Sequence, residues 1–451
     1  MWIRVHCSHI EPTQRFFERD AIIAPTRRPI PLCSSDPGVR FLMTLKPPRA
    51  HVVALALSVA ACARNDGDFI ERDSAGVRLV VNNTVGAGWS GETPWRVTEE
   101  LAIGSDTLGD EYRFGRIGDL AVAPNGNIAV IDQLAAVVRV FDTRGRHVRT
   151  MGRRGKGPGE LSINSNGIYV LPGDSLLVLD PGERRMTVFA PDGTVGRVTA
   201  LPPTPTGQGW LRLPDGRFLM RGLTIGRAEG RFTFWDALLS VQADGSATDT
   251  LFVFDHAKTD LGGPGRLRVQ LIVNNPTWAR LGDGRIAWTA LDRSYVQVHD
   301  STGRLVSRIR HAAWVTRPVT ASDKAAMVEL LRIKLTALGG DGSFADSPQV
   351  EAPTEFPAIS TVRAGPRGTI WVQLMGPVES IDHMAINARD RADFLGGSVW
   401  HVLDSLGRFR GAVELPSRFR IFRVTDDALY GTARDDDGVE RIVKLRLIAK
   451  R

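Results

Sequence analysis

Cysteine is almost absent from this chain, and what there is lies at one end. The three cysteines among 451 residues are Cys7, Cys33 and Cys62. Beyond Cys62, therefore, neither a disulfide framework nor a cysteine metal site can be built. Paired histidines are missing as well. His147, His256, His299, His311, His383 and His401 form no H-x-x-x-H pair. A zinc or copper site made from them would need several distant segments to give one ligand each. No G-x-S-x-G and no late cysteine nucleophile is present. The apolar run His51 to Ala61 is too short for a normal membrane span. Charge imbalance is also small. The formal charge is +7, but residues 1–62 carry eight of the 57 bases and four of the 50 acids, which leaves +3 for the rest. The high pI mostly reflects this leader and gives no argument for nucleic-acid binding.

What the chain does have is 46 glycines and 26 prolines set among short apolar runs. That pattern predicts many short strands joined by turns. The stretch from Asp119 to Leu161 holds one complete unit. Its strands are Leu120 to Ala123, Ile128 to Asp132, Val137 to Phe141 and Arg146 to Met151, with turns at Pro124-Asn125-Gly126 and Thr143-Arg144-Gly145. The first turn recurs at Pro172-Gly173-Asp174, Pro214-Asp215-Gly216, Gly282-Asp283-Gly284, Pro366-Arg367-Gly368 and Thr425-Asp426-Asp427. The second recurs at Pro191-Asp192-Gly193, Ala243-Asp244-Gly245, Ser301-Thr302-Gly303 and Ser405-Leu406-Gly407. These residue types supply turn conformations that other residues resist. Six first turns and five second turns imply six four-stranded units, the last incomplete. An open three-stranded edge would be an aggregation hazard. The strand Trp95 to Ile103 is expected to complete the sixth unit. The fold class is thus all-β, a single six-bladed propeller closed by an N-terminal strand, with one helical insertion.

Two units are interrupted, at Asp255 to Asn275 and at about 313–356. The second interruption predicts a helix from Ser322 to Leu338, capped by Ser322 or Asp323, with an apolar stripe of Ala325, Val328, Leu331 and Leu335. The stripe would either pack on the propeller face or form a lid or partner-binding helix.

Upstream, Met43 to Cys62 reads as a basic n-region followed by a short apolar core. Val59-Ala60-Ala61-Cys62 resembles a bacterial lipoprotein lipobox. The resemblance implies cleavage before Cys62 and lipidation of its sulfur, an anchor of several acyl chains. Residues 1–42 then read as an upstream extension, 43–62 as signal peptide, 63–94 as linker and N-terminal strand, and 95–451 as the propeller. Ala63 after the cysteine, with no aspartate, resembles the pattern of outer-membrane-directed lipoproteins.

Residues 114–161 resemble bacterial six-bladed β-propeller lipoproteins related to NHL repeats. The resemblance rests on Asn125-Gly126-Asn127-Ile128, on Val140-Phe141-Asp142 with Gly145, and most of all on Gly152 to Glu160, similar to that group's GRxGxGPGE signature. Leu161 stands where an aromatic is common. Many members are lipoproteins of unknown function, so the resemblance implies an envelope address and no chemistry.

The glycine-base run could form an anion-binding nest, with Arg153, Arg154 and Lys156 adding charge, or it could be a plain connector. It is no Walker A loop, because Gly157 follows Lys156. The positions that open each inner strand hold Asp119, Asn166, Gln208 or Gly209, Asn275 or Thr277, Ser360 or Thr361, and Arg420. Their oxygens could converge on the axis to hold Ca²⁺ or a small polar ligand, or simply solvate the channel. Lactonases of the gluconolactonase type resemble this arrangement, but no glutamate stands at an equivalent position here. Asp132, Asp180 and Asp292 close second strands and are expected to bond turn N–H groups. The expected function is a lipid-anchored envelope propeller that binds or scaffolds a protein or small polar ligand, with no resident cofactor. The competing class is a metal-dependent hydrolase, lactonase or lyase, with Asp119 as the metal candidate.

Overall fold

The computed structural model describes residues 64–65, 69–83, 95–105, 107–201, 208–228, 231–242, 248–254, 269–271, 276–290, 293–337, 339–377, 396–434 and 439–449. Cys62, Asn275, Asp292 and the whole of 1–62 lie outside them. The described residues form a six-bladed propeller with one α-helix among them. Blade 1 is Ile117–Val122, Ile128–Asp132, Val137–Phe141 and His147–Met151. Blade 2 is Ile168–Val170, Leu176–Asp180, Arg185–Phe189 and Val195–Ala200. Blade 3 is Gln208–Arg212, Phe218–Ala228, Arg231–Val241 and Thr248–Val253. Blade 4 begins with Thr277–Arg280, Ile286–Thr289, Val296–His299 and Leu305–His311. Blade 5 is Ile359–Ala364, Ile370–Met375, Gly396–Leu403 and Phe409–Glu414. Blade 6 is Arg420–Val424, Ala428–Arg434 and Glu440–Ala449, closed by Trp95–Ile103. The closing strand runs antiparallel to Glu440–Ala449, as the open edge required.

Each blade is a sheet with a neighbour on both faces, so its middle strands are buried along their length rather than alternating, while outer strands such as Val195–Ala200 are exposed. All of Ile128–Asp132 and Leu176–Asp180 is buried. The core lies in six apolar seams, one between each pair of adjacent blades. The seam joining blade 6 to blade 1 packs Ile442 and Tyr430 against Ile117 and Phe141. Glu440 spans the same seam, accepting the Ile117 N–H at 2.6 Å. Burial pushes the Glu440 carboxyl up, opposed by that N–H and by Arg434 and Arg420.

The turn residues act as their types dictate. Asp142, Asp300 and Asp404 each accept two backbone N–H groups of the following turn. Asp132 and Asp180 bond an N–H of their own turns, Ala135 and Glu183, and also reach across to the incoming connector. Asp132 accepts from Gly115, Arg116 and Ala135 and pairs with the buried Arg139 at 2.8 Å. Asp180 accepts from the Ser162 and Glu183 N–H groups.

The segment 63–94, read as linker and strand, holds a hairpin. Phe69–Ser74 and Val77–Asn82 pair, and Val77–Asn82 lies parallel to Leu305–His311 on the outer edge of blade 4. The hairpin also grips blade 5. Asn82, 1% exposed, donates to the carbonyls of Arg310 and Gly407 and accepts the Phe409 N–H. Glu71 pairs with Arg408 at 2.8 Å. Thus one N-terminal hairpin fastens two adjacent blades at their rim.

The helix spans Ala321–Ala337, and its cap lies earlier than expected. Thr320 accepts the Asp323 N–H, and Asp323 accepts the Thr320 N–H, a reciprocal capping pair. The buried stripe is also rotated. Met327 is buried, with Ala326 and Leu330 beside it, against Phe356, Leu271 and Met375. Ala325 is exposed. Apolar residues occur all round this helix, so spacing alone could not set its phase; packing did.

Candidate functional site

Within each blade the strands are antiparallel, so the first-to-second and third-to-fourth turns share one face of the ring. The second-to-third turns and the connectors between blades share the other. The first face carries tight turns. The connector face carries the long insertion at 312–337 and 339–358 before blade 5, and the strands flanking the other two longest joins, Val253 to Thr277 and Met375 to Gly396, end on it. The hairpin Phe218–Ala228 with Arg231–Val241 is 11 residues a side and extends toward the same face.

The insertion after blade 4 is built onto this face. Val269–Gln270 pairs in parallel with Val350–Glu351, and Arg317–Pro318 pairs with Glu355–Phe356. The Arg317 guanidinium binds the Asp323 carboxylate with both nitrogens, at 2.6 and 3.0 Å, and lies 4.2 Å over the Phe356 ring. Arg317 and the Thr320 donors hold the Asp323 carboxyl far below the usual carboxylate range. An open cleft of about 460 Å³ lies between Val319 to Lys324 and Val350 to Pro353. The helix therefore rests on the propeller and walls a recess.

Asp119 opens the inner strand of blade 1, and its oxygens are occupied by protein donors. Oδ1 accepts the Leu120 N–H at 2.8 Å, and Oδ2 accepts the Ile168 N–H of blade 2 at 3.0 Å. The Arg423 guanidinium of blade 6 lies 3.1 Å from Oδ1 and also reaches the Ile168 carbonyl. One carboxylate thus ties three consecutive inner strands. Next to it, burial and then the Asp119 charge hold the Tyr169 hydroxyl well above its ordinary range. Asp119→Ala should cost about 2–3 kcal/mol, because Arg423 and the Ile168 N–H lose a charged acceptor. The shift in urea midpoint measures it; an unchanged midpoint would mean that the bridge contributes nothing.

Asn166 donates its N–H to the Leu179 carbonyl, and its Oδ1 is buried with no partner among the described residues. Ser360 and Thr361 are buried, and Thr361 accepts from Arg363. The side chain of Gln208 and all of Asn275 lie outside the described residues. The charged residues of the inner strands are instead Asp119 and the arginines Arg212, Arg280, Arg363, Arg420 and Arg423. The described inner strands thus carry five bases and one acid. Among the described residues no three His, Cys, Asp or Glu side chains stand together as a metal site.

The glycine-base loop is filled from within. Glu160 accepts the Gly157 N–H at 2.7 Å and pairs with Arg153 at 2.8 Å. The Gly157 donor, then Arg153, draw its carboxyl below the ordinary range. Arg154 donates to the Leu134 carbonyl, and Arg185 of blade 2 donates to the carbonyls of Lys156 and Glu160. The Lys156 side chain is exposed. Gly155 has φ +156°, and a Cβ there would overlap the Glu160 carboxylate. The residues that spacing did not flag are Arg423, Tyr169, Glu160 and Arg185. The one usable signal was the glutamate closing the glycine run, a built-in anion next to a nest.

Residues 108–194 match a protein family described as a 6-bladed beta-propeller. No curated protein matches the chain. Solved structures similar to it include an exported protein of Bacteroides fragilis, at 12% identity and TM-score 0.47, covering 83% of this chain and 100% of that one. Virginiamycin B lyase of Staphylococcus aureus has 10% identity, TM-score 0.40 and coverage of 78% and 100%. The calcium-binding protein regucalcin of Agrobacterium tumefaciens has 10% identity, TM-score 0.38 and coverage of 79% and 96%. At these identities nothing about ligand or reaction passes to this chain.

Proposed function

We propose that the chain is a non-enzymatic binding or scaffolding propeller of the bacterial cell envelope, held by a lipid on Cys62, that takes a protein or small polar ligand on its connector face. The observation that carries this reading is the placement of the long insertions on one face. In repeat folds such a face is often the binding face. The Asp119 bridge supports binding over metal catalysis, because its carboxylate already serves Leu120, Ile168 and Arg423.

Calorimetric titration with Ca²⁺ and Zn²⁺, together with a lactonase and esterase panel, tests the non-enzymatic part. The expected result is no turnover. Tight metal binding with turnover, both lost in Asp119→Ala, would replace this reading by a metal-dependent enzyme. Anchoring is tested separately. Cys62→Ser should move the protein out of the membrane fraction, and globomycin should leave the precursor uncut. Continued membrane partition of Cys62→Ser would show that Cys62 is not the lipid site.

A further inference from the structure

The chain between Cys62 and the ring is too short to be a free linker. Arg64–Asn65 is already a strand, paired antiparallel to Ile70–Glu71. It is the outermost strand of a seven-stranded sheet, in which Arg64–Asn65, Phe69–Ser74 and Val77–Asn82 continue blade 4 outward beyond Leu305–His311. The first strands of a propeller line its axis, so this edge is the part of blade 4 farthest from the axis. At the usual strand spacing the three added strands carry the sheet about 14 Å past the fourth strand. Arg64 lies opposite Glu71, near the middle of Phe69–Ser74, so the chain leaves the rim between the two faces of the ring.

This extension moves with the ring. Val77–Asn82 pairs with the fourth strand of blade 4 from Ser307 to His311, and Val80 is fully buried in the seam between blades 4 and 5. Arg78 donates to the Leu406 carbonyl at 2.9 Å. The Arg408 guanidinium, paired with Glu71, lies 4.6 Å from the Phe69 ring centre. With the hydrogen bonds of Asn82, these contacts fix the hairpin to two blades. Cys62 stands two peptide steps before Arg64. Whatever path the chain takes, their Cα atoms are at most about 8 Å apart. That reach is about the thickness of one headgroup layer. Acyl chains on Cys62 enter the hydrocarbon at the inner side of that layer.

We infer that the propeller meets the membrane edge-on, through the hairpin Phe69–Asn82 at the outer rim of blade 4, with the ring axis along the bilayer plane. The partner of this rim is the headgroup surface of the leaflet that holds the anchor. Both faces of the ring then stand clear of the lipid, and the connector face opens sideways along the membrane. The inference rests on the lipid on Cys62 proposed above and deepens that reading, because it says from which direction a partner reaches the connector face.

The test uses the mature lipoprotein, reconstituted into phosphatidylcholine vesicles that carry a headgroup spin label. No cysteine follows Cys62, so one introduced cysteine is the sole free thiol of the mature chain. A fluorophore is placed in turn at exposed positions: Arg72→Cys on the hairpin, Val148→Cys on the outer strand of blade 1 across the ring, Lys324→Cys on the connector-face helix, and Asp426→Cys on the face of tight turns. Quenching at Arg72 should be several-fold stronger than at each other site. Equal quenching at Lys324 or Asp426 would mean that the ring lies on a face, and equal quenching at Val148 that no side is fixed. Either result overturns the inference while the anchor stands. A wild-type protein that carries no lipid and does not join vesicles would remove the anchor, and this inference with it. Inserting about twenty Gly and Ser residues between Ala63 and Arg64 makes the tether a flexible coil. That variant should stay on the vesicles and lose most of the contrast between sites. Contrast that survives the insertion would show that the short tether does not set the orientation.

Discussion

A chain that starts at Gly104 should fail to fold. Without Trp95–Ile103 the strand Glu440–Ala449 loses a partner along its length and becomes an exposed edge. Ile103 is buried, and Trp95, Val97 and Leu101 pack against the seams on either side of blade 6. Four such side chains contribute about 5–10 kcal/mol at the usual value per buried apolar side chain. That is of the order of a whole domain's stability. The loss is also topological, because the seams between blades 5 and 6 and between 6 and 1 both open. The expected outcome is no cooperative melting transition by circular dichroism and an enlarged, aggregating species on gel filtration. A peptide of residues 95–105 added in trans should restore part of the transition. Cooperative melting of the truncated chain at the full-length temperature would show that the ring does not depend on this strand.

Lowering the pH from 7.5 to 5 should remove a similar amount of stability through three histidines. His299, His311 and His401 are buried on the two sides of blade 4. His311 and His401 meet edge to face, ring centres 4.5 Å apart, in the seam with blade 5. His401 Nδ1 accepts the Trp314 N–H, and His311 Nδ1 accepts the Ala313 N–H. Both rings are therefore neutral and carry their proton on Nε2, which has no partner among the described residues. Burial lowers His299 and His311 to about 4, and burial with the neighbouring His311 lowers His401 to about 3. In the unfolded chain each titrates near 6.5. Between about pH 6.5 and 4 the unfolded chain therefore binds protons that the folded ring refuses, so stability falls as pH falls. Three groups at about 1.4 kcal/mol per unit each give roughly 4 kcal/mol per pH unit. Above pH 7.5 they contribute no slope. Asp300, held to about 2 by Thr302 and Arg304, gives up its contribution only at lower pH, while Glu440, pushed up by burial, takes a proton more readily in the folded ring and offsets part of the fall. Urea midpoints at pH 8, 6 and 5 measure the slope. His311→Leu with His401→Gln should leave about a third of it. A flat profile in wild type would show that the rings accept protons in place.

The blades were readable because their signals are local. A strand that is apolar on both faces, an Asx-Gly turn and the next strand all fall within about a dozen residues. The closing strand was readable by subtraction, since three strands needed a fourth. Partners across the ring were not readable. Asp119 sits where its position in the repeat suggested, yet its Arg423 partner is 304 residues away and looked like any strand arginine. The glycine-base loop announced a nest but not its occupant, because spacing does not say which way the Glu160 side chain turns. The segment 63–94 read as linker and strand, but the docking of the hairpin Phe69–Asn82 was not readable, because its partner strand lies some 230 residues downstream, in blade 4.

The two clasps at the start of the chain have a consequence for synthesis. Trp95–Ile103 leaves the ribosome long before Glu440–Ala449 exists, a delay of roughly 20–70 s at usual elongation rates. The hairpin Phe69–Asn82 waits in the same way for blades 4 and 5. This earlier-made segment is thus among the last to be seated, and the ring can close only once Glu440–Ala449 has emerged. During that interval its apolar residues need shelter, from a chaperone or from export in the unfolded state.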